Sequence, residues 1–426
     1  MNKEFVESTI IRLCKRPRTF EFISKNLSGL DPIKVQMALR SMESKSTIKK
    51  KDDLYVVDNC VKSLTLDLVT PDPQMYLKKY MGYFDFLKTP HPLDFEWRNS
   101  TESLNHLVSI ILKLNTIDDR ILILGMPTLF ATACIKDIPQ KITLIERNTQ
   151  ILNGLKIINH DPHRYKIVEA DIFKVSPKSI GNYSCIIMDP PWYSPFFYQF
   201  MWLASNCVEI GGFIAISLPP INTRPSIGLE RIEWFSFCQT QGLCLESLYP
   251  NQLHYAMPFF EFNAFRSGGI SDIHPFWRKG DLAFFKKIEH QKTPRPAFEE
   301  SIDFWIEREY NSIRIRVNRN NLEERKDDKL TIEHLVKGDI LPTVSSRDDR
   351  RKKANIWTSG NRIFKTNKPN LFISILDAIL RNNHFDNKDK DNKMAYDLLS
   401  YIVETENNEF NEYLDWLYHE MEREPD

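Results

Sequence analysis

The sequence predicts an α/β protein: a doubly wound, mostly parallel sheet with an N-terminal unit of three helices and a hairpin and a mainly helical C-terminal extension. Three observations predict it. Five apolar runs between residues 120 and 218 alternate with helix-length connections, the pattern of parallel strands covered on both faces. Each run ends in a glycine, an acid or a Pro-Pro pair, and polar carboxyl ends of such strands mark a ligand crevice. Finally, 426 residues with 42% hydrophobic content suffice for two or three domains around one large core.

The first unit spans residues 1–58. Phe5, Ile10, Ile11 and Leu13 form one apolar stripe, residues 19–27 a second, and Asp31-Pro32 starts a third helix in which Val35, Ala38, Leu39 and Met42 recur at helical spacing. Residues 48–51 and 54–57 flank Asp52-Asp53 as a hairpin does. Three helices and a hairpin resemble a winged helix. With twelve Lys/Arg against eight Asp/Glu the unit is mildly basic, and Lys34, Arg40 and three wing lysines fit either nucleic-acid contact or a plain scaffold role.

Residues 59–100 read as a connector, broken by Pro71, Pro73, Pro90 and Pro92. In it Asp94-Phe95-Glu96-Trp97-Arg98 leads into a helix capped near Ser100 or Thr101.

Residues 101–290 carry the sheet, which is Rossmann-like. Its strands are residues 121–124 ending at Gly125, 141–146 ending on Glu146, 166–169 leading to Asp171, 184–188 ending at Asp189, and 211–218 ending at Pro219-Pro220. A helix near residues 229–241 follows. For the closing strands, residues 244–248 with 259–265 compete with residues 281–285, and periodicity does not choose between them.

Residues 291–426 form a basic extension with an acidic helical tail. Thr293-Pro294-Arg295-Pro296 is a linker, residues 312–317 alternate as an edge strand, and residues 371–381 and 394–403 read as helices. Residues 341–370 hold eight Lys/Arg against two Asp, and Arg347, Arg350, Arg351, Lys352 and Lys353 are followed by Trp357 and Arg362. Basic residues interleaved with aromatics suit a phosphate backbone and stacked bases, and a solvated charged loop has the same composition. The last 23 residues hold nine acids against one arginine, with Phe410, Leu414, Leu417 and Met421 on one stripe, fit to dock on the core or to shield the basic segment.

Asp189-Pro190-Pro191-Trp192 carries the chemistry. A strand ending on an acid, two prolines and an indole brings a carboxylate, a fixed carbonyl and a flat face to one point. That is a holder for a planar amine, with Asp189 and the Pro190 carbonyl accepting from its NH2 group. Tyr193, Phe196 and Tyr198 follow as stacking candidates.

This motif, together with Gly125, Glu146 and Asp171 in that order, resembles class I S-adenosylmethionine-dependent methyltransferases with an acid-Pro-Pro-aromatic motif IV, over about residues 115–265. The resemblance implies S-adenosylmethionine held by Leu124, Gly125, Pro127, Glu146, Asp171 and Ile172, catalysis at Asp189 to Trp192, no metal, and an exocyclic amine as acceptor, above all adenine N6 in DNA or RNA. The turn departs from the family pattern, since Gly125-Met126-Pro127 lacks the later glycines. Lysine or glutamine side chains are alternative acceptors. A winged helix before an Asp-Pro-Pro domain is also similar to the branched-chain polyamine synthases, which are aminopropyltransferases, although the acidic cluster expected after the first-strand glycine is missing here. A third reading is a methyltransferase-like platform that binds nucleic acid without catalysis.

Composition bounds the rest. Lys+Arg and Asp+Glu are equal at 57 each, so net charge names no partner. Seven cysteines form no Cys-x-x-Cys pair, which speaks against zinc and disulfides. No signal peptide or membrane span is evident, so a cytoplasmic protein is expected, with nucleic acid as partner, room for a protein partner and no membrane contact.

Overall fold

A computed structural model describes residues 3–14, 17–27, 29–57, 87–290, 293–298, 305–319, 328–381 and 389–422. Most of the connector, with Cys60, Pro71 and Pro73, lies outside the described residues, as do the Phe5 and Met421 side chains.

The N-terminal unit comprises α1 (Lys3–Leu13), β1 (Arg18–Thr19), α2 (Phe20–Lys25), α3 (Pro32–Ser44), β2 (Ile48–Lys51) and β3 (Leu54–Val57), its strands ordered β1-β3-β2. Asp31 caps α3 by accepting from the Ile33 amide at 2.8 Å, with Pro32 at the first helical position. The unit sits against the central domain: a Cβ at Gly29, whose φ is +77°, would meet Pro220 at 3.1 Å.

The central domain begins with α4 (Thr101–Leu114) and continues through β4 (Arg120–Leu124), α5 (Pro127–Ile135), β5 (Lys141–Glu146), α6 (Thr149–Ile158), β6 (Tyr165–Glu169), α7 (Pro177–Ile180), β7 (Tyr183–Met188), α8 (Ser194–Cys207), β8 (Val208–Leu218), α9 (Ile227–Thr240), β9 (Leu243–Tyr255), α10 (Phe259–Ser267) and β10 (Arg278–Lys287). The sheet order is β6-β5-β4-β7-β8-β10-β9. Pairing is parallel from β6 through β8, and β10 runs antiparallel to both β8 and β9. This is the Rossmann-like, mostly parallel sheet expected. Two buried clusters cover its faces, one around Leu107, Phe130 and Ile187, the other around Leu124, Met201 and Trp234.

The closing strands are β9 and β10, so residues 259–265 are helix rather than strand. Their periodicity was hidden because residues 259–265 are all buried, Glu261 and Asn263 included, so no exposed polar face marks the helix.

The C-terminal region adds a second sheet. Its elements are β11 (Trp305–Tyr310), β12 (Ile313–Asn318), β13 (Ile332–His334), α11 (Asp349–Lys353), β14 (Ile356–Thr358), β15 (Ile363–Thr366), α12 (Pro369–Leu380) and α13 (Lys390–Glu422), with strand order β11-β12-β14-β15-β13. β12, expected at an edge, lies inside. Its polar positions Arg314 and Arg316 are covered by the carboxylates of Asp94 and Glu307. The helix read at 394–403 and the acidic tail are one continuous α13. Glu406 is fully buried there, so the tail docks on the core rather than shielding a groove. Among the described residues no helix is long and apolar enough to cross a membrane.

Candidate active site

The chain passes from β4 outward to β6, then returns to β7 on the other side of β4, which makes the carboxyl ends of β4 and β7 the topological switch point of the sheet. There the Asp189 amide donates to the Leu124 carbonyl at 3.3 Å, so the first-strand turn and the Asp-Pro-Pro loop are hydrogen-bonded neighbours. Gly125 makes the turn with φ +68°, and a Cβ on it would stand 3.2 Å from the Phe200 ring and 3.3 Å from the Asp189 carbonyl. One glycine suffices because Pro127 opens α5 at its first position. Gly125→Ala is expected to lower stability by about 1–2 kcal/mol through left-handed strain and crowding, read as an earlier thermal melt.

Two open cavities meet at this point. They share Phe95, Glu96, Gly125, Pro127, Asp189 and Pro191.

The first cavity runs over the ends of β5 and β6. Glu146 Oε1 accepts from the Arg147 and Asn148 amides, both at 2.8 Å, which fixes the carboxylate at the strand end. Burial, joined by the nearby Glu96 carboxylate, raises its pKa against those amide bonds. Asp171 Oδ1 accepts from the Phe173 amide at 3.0 Å, and Ile172 and Phe173 line the wall beside it. An acid for a ribose diol, an acid for an adenine amine, an apolar wall and a tight glycine turn between them fit S-adenosylmethionine. Gly125, Pro127, Glu146, Asp171 and Ile172 come together as the sequence implied. The Leu124 side chain does not: it is fully buried in the core, because it is the last inward position of β4.

The second cavity has Asp189 at its base. The carboxyl faces the hydroxyls of Tyr255 and Ser217, which are 2.5 Å apart, and burial pushes its pKa up to about 7 against the hydrogen bonds from Tyr255, Ser217 and Trp192. Pro190 is buried, and Trp192 meets Tyr255 edge to face at 5.6 Å. Across from them the Arg278 guanidinium lies 4.9 Å from the Trp97 ring, 4.7 Å from Trp277 and 5.9 Å from Trp192. Arg278 is paired with the fully buried Glu261, and Arg224 at the rim is paired with Glu230. The result is an aromatic slot with guanidinium groups on its walls.

Several of these residues escape sequence reasoning. Phe95, Glu96, Trp97 and Arg98 lie in the connector, while Tyr255 and Arg278 reach the cavity from β9 and β10 and Ser217 of β8 supports Tyr255 from behind. The only signal was the dense run of acids, aromatics and arginine at 94–98. Of the stacking candidates, Tyr193 and Phe196 line the cavities and contact Phe95, whereas Tyr198 packs on Phe237 instead.

The basic segment divides. Arg347 reaches Glu230 at 3.5 Å beside the second cavity, Arg350 is bound to Asp348, Lys352 pairs with Asp349, and Lys353 is exposed. Arg351 lies 4.5 Å from the Trp357 ring, and burial lowers its pKa to about 10 while Tyr193 acts in the opposite sense. Trp357 and Arg362 are 1% and 2% exposed, which removes them as surface contacts. Arg362 is held by Glu406 and Glu409 of α13, partners that a local charge count cannot see.

No family model and no curated protein matches the sequence. Among solved structures, the branched-chain polyamine synthase from Thermus thermophilus, in complex with N4-aminopropylspermidine and 5'-methylthioadenosine, superposes with a TM-score of 0.55 at 12% identity, covering 70% of this chain and 90% of that one. A mutein of that enzyme with the same two ligands gives 0.53 at 11% identity, over 71% and 97%. A candidate RNA methyltransferase from Pyrococcus horikoshii gives 0.35 at 14% identity, over 50% of this chain and 98% of that one. At such identities the similarity is one of fold alone, and the fold is the Rossmann-like one shared with the Thermus synthase.

Proposed function

We propose that this chain is an S-adenosylmethionine-dependent methyltransferase acting on an exocyclic amine, with adenine N6 in DNA or RNA as the acceptor. The observation that carries the reading is Asp189, at the junction of an acid-ended cofactor cavity and an aromatic slot that Pro190 also lines. When bound, the cofactor supplies an electrophilic methyl on a sulfonium. Asp189 and the Pro190 carbonyl accept the two N–H bonds of the amine, holding its nitrogen in line and favouring tetrahedral geometry as the bond forms. Trp192, Tyr193 and Trp97 offer flat faces to the ring. A base must leave its stack to enter the slot, which favours single-stranded or structured nucleic acid. Arg347 beside it, with Arg350, Lys352 and Lys353 in the segment that follows, suits the phosphate backbone.

A second reading, aminopropyl transfer to a polyamine, draws on the overall similarity to the Thermus synthase. The slot argues against it. Its charged lining residues are Arg98, Arg224 and Arg278 against Glu96 and Asp189, an unfavourable setting for a polycation.

Isothermal titration tests the cofactor half of the proposal. Wild type is expected to bind S-adenosylmethionine at micromolar Kd and Asp171→Ala to lose about tenfold or more. Absence of binding by wild type would leave only a nucleic-acid-binding platform. Tritiated methyl transfer into nucleic acid, protein and polyamine then separates the acceptors.

A further inference from the structure

We infer that Glu96 holds the positive centre of the sulfonium cofactor at the junction of the two cavities, and that the C-terminal sheet keeps it there. The inference rests on the cofactor reading above and adds a residue to it.

Glu96 lines both cavities, where a group passing from cofactor to acceptor must cross. Its Oε1 accepts from Arg98 Nε at 2.8 Å, while its second oxygen has no hydrogen-bond partner among the described residues. It stands near enough to Glu146 to act on that carboxylate's protonation. Two carboxylates facing one cavity repel, and a cation between them turns that repulsion into binding. Within the cofactor, the sulfonium and the ammonium are the groups that can supply it. Of these, the sulfonium lies where the transferred group leaves, and so beside the acceptor slot.

Glu96 does not reach this position through the central domain alone. Asp94 is bound by Arg314 at 2.6 Å and by Arg316, both on β12, and burial, which would raise its pKa, is overcome by these two cations so that it falls to about 2. Arg314 also donates to the Thr89 carbonyl at 2.8 Å, and the His91 ring contacts the Trp357 carbonyl at 3.2 Å. Phe95, between Asp94 and Glu96, takes φ +53°, a left-handed conformation that a phenylalanine holds only where its surroundings impose it. The second sheet therefore grips the strap at 88–94 and presents residues 95–98 to the site.

Titration of Glu96→Gln with S-adenosylmethionine and with S-adenosylhomocysteine, which has no sulfonium charge, tests this. The amide keeps the shape and an acceptor for Arg98. The ratio of the two dissociation constants is expected to move about tenfold against S-adenosylmethionine, with S-adenosylhomocysteine held within about twofold of wild type. Equal weakening of both, or no change in either, overturns the inference while leaving the cofactor reading intact. A wild type that binds neither overturns both. Should Glu96→Gln melt early, Glu96→Asp decides: charge retained on a shorter arm is expected to keep most of the wild-type ratio, and a ratio shifted fully against S-adenosylmethionine refutes the role.

Discussion

Asp189→Ala is expected to lower methyl transfer by about 10²-fold or more while leaving S-adenosylmethionine affinity within a few-fold of wild type. The substitution removes the acceptor that faces the slot and leaves Gly125, Glu146 and Asp171 in place. Asp189→Asn separates charge from geometry, since its amide oxygen still accepts one N–H, so it is expected to retain a share of the rate. It also alters the pH dependence. The wild-type carboxyl, raised to about 7 by burial, accepts its N–H best when ionised, so the rate should rise through pH 7 and flatten in Asp189→Asn. The stability sign is opposite. Between the usual carboxylate pKa and about 7 the folded protein holds a proton that the unfolded chain has released, so this group's contribution falls as pH rises through that window. Asp189→Asn should therefore melt higher than wild type at pH 8 and close to it at pH 4. Unaltered transfer by Asp189→Ala would mean that the amine is held elsewhere.

Arg362→Met should destabilise the chain by about 3–5 kcal/mol, the cost of leaving a buried carboxylate without its cation. Arg362 is 2% exposed and bridges Glu406 and Glu409. Glu406 is fully buried, bound also by Thr358 and by the Gly360 amide at 3.0 Å, and burial raises its pKa to about 7 even with Arg362 beside it. Without the cation that pKa climbs further. The loss should thus be larger at pH 8 than at pH 5, where Glu406 can bind a proton, and urea unfolding at both values measures the difference. Equal losses at both would show that packing rather than charge accounts for the effect. This site joins α13 to the second sheet, so the melt should report the C-terminal region first.

Local pattern disclosed much of this architecture. The strands at 121–124, 141–146 and 184–188 were legible because burial on both faces makes each a continuous apolar run, and their ends gave Gly125, Glu146 and Asp189 directly. The N-terminal helices and hairpin were legible from stripes, a cap at Asp31 and a turn at Asp52-Asp53. Legibility failed where partners are distant. Arg314, Arg316 and Arg362 look like surface charges until Asp94, Glu307, Glu406 and Glu409 arrive from elsewhere in the chain. The continuity of α13 past residue 403 was masked by a shift to acidic composition, although Leu399, Ile402, Glu406, Tyr413 and Leu417 keep one buried stripe.

The order of apolar runs and the residues at their ends, which depend on backbone periodicity and short-range chemistry, were determined by the sequence itself: an α/β sheet, a glycine turn, two strand-end acids and an Asp-Pro-Pro-Trp loop. Tertiary structure decided what surrounds that motif. Tyr255 and Arg278 converge on the slot from two further strands, with Ser217 of a third behind Tyr255, and a strap clamped by a second sheet sets Glu96 between the two cavities. Convergence of this kind comes from long-range burial and charge pairing, where each partner is far away in the chain and carries no local mark of the other.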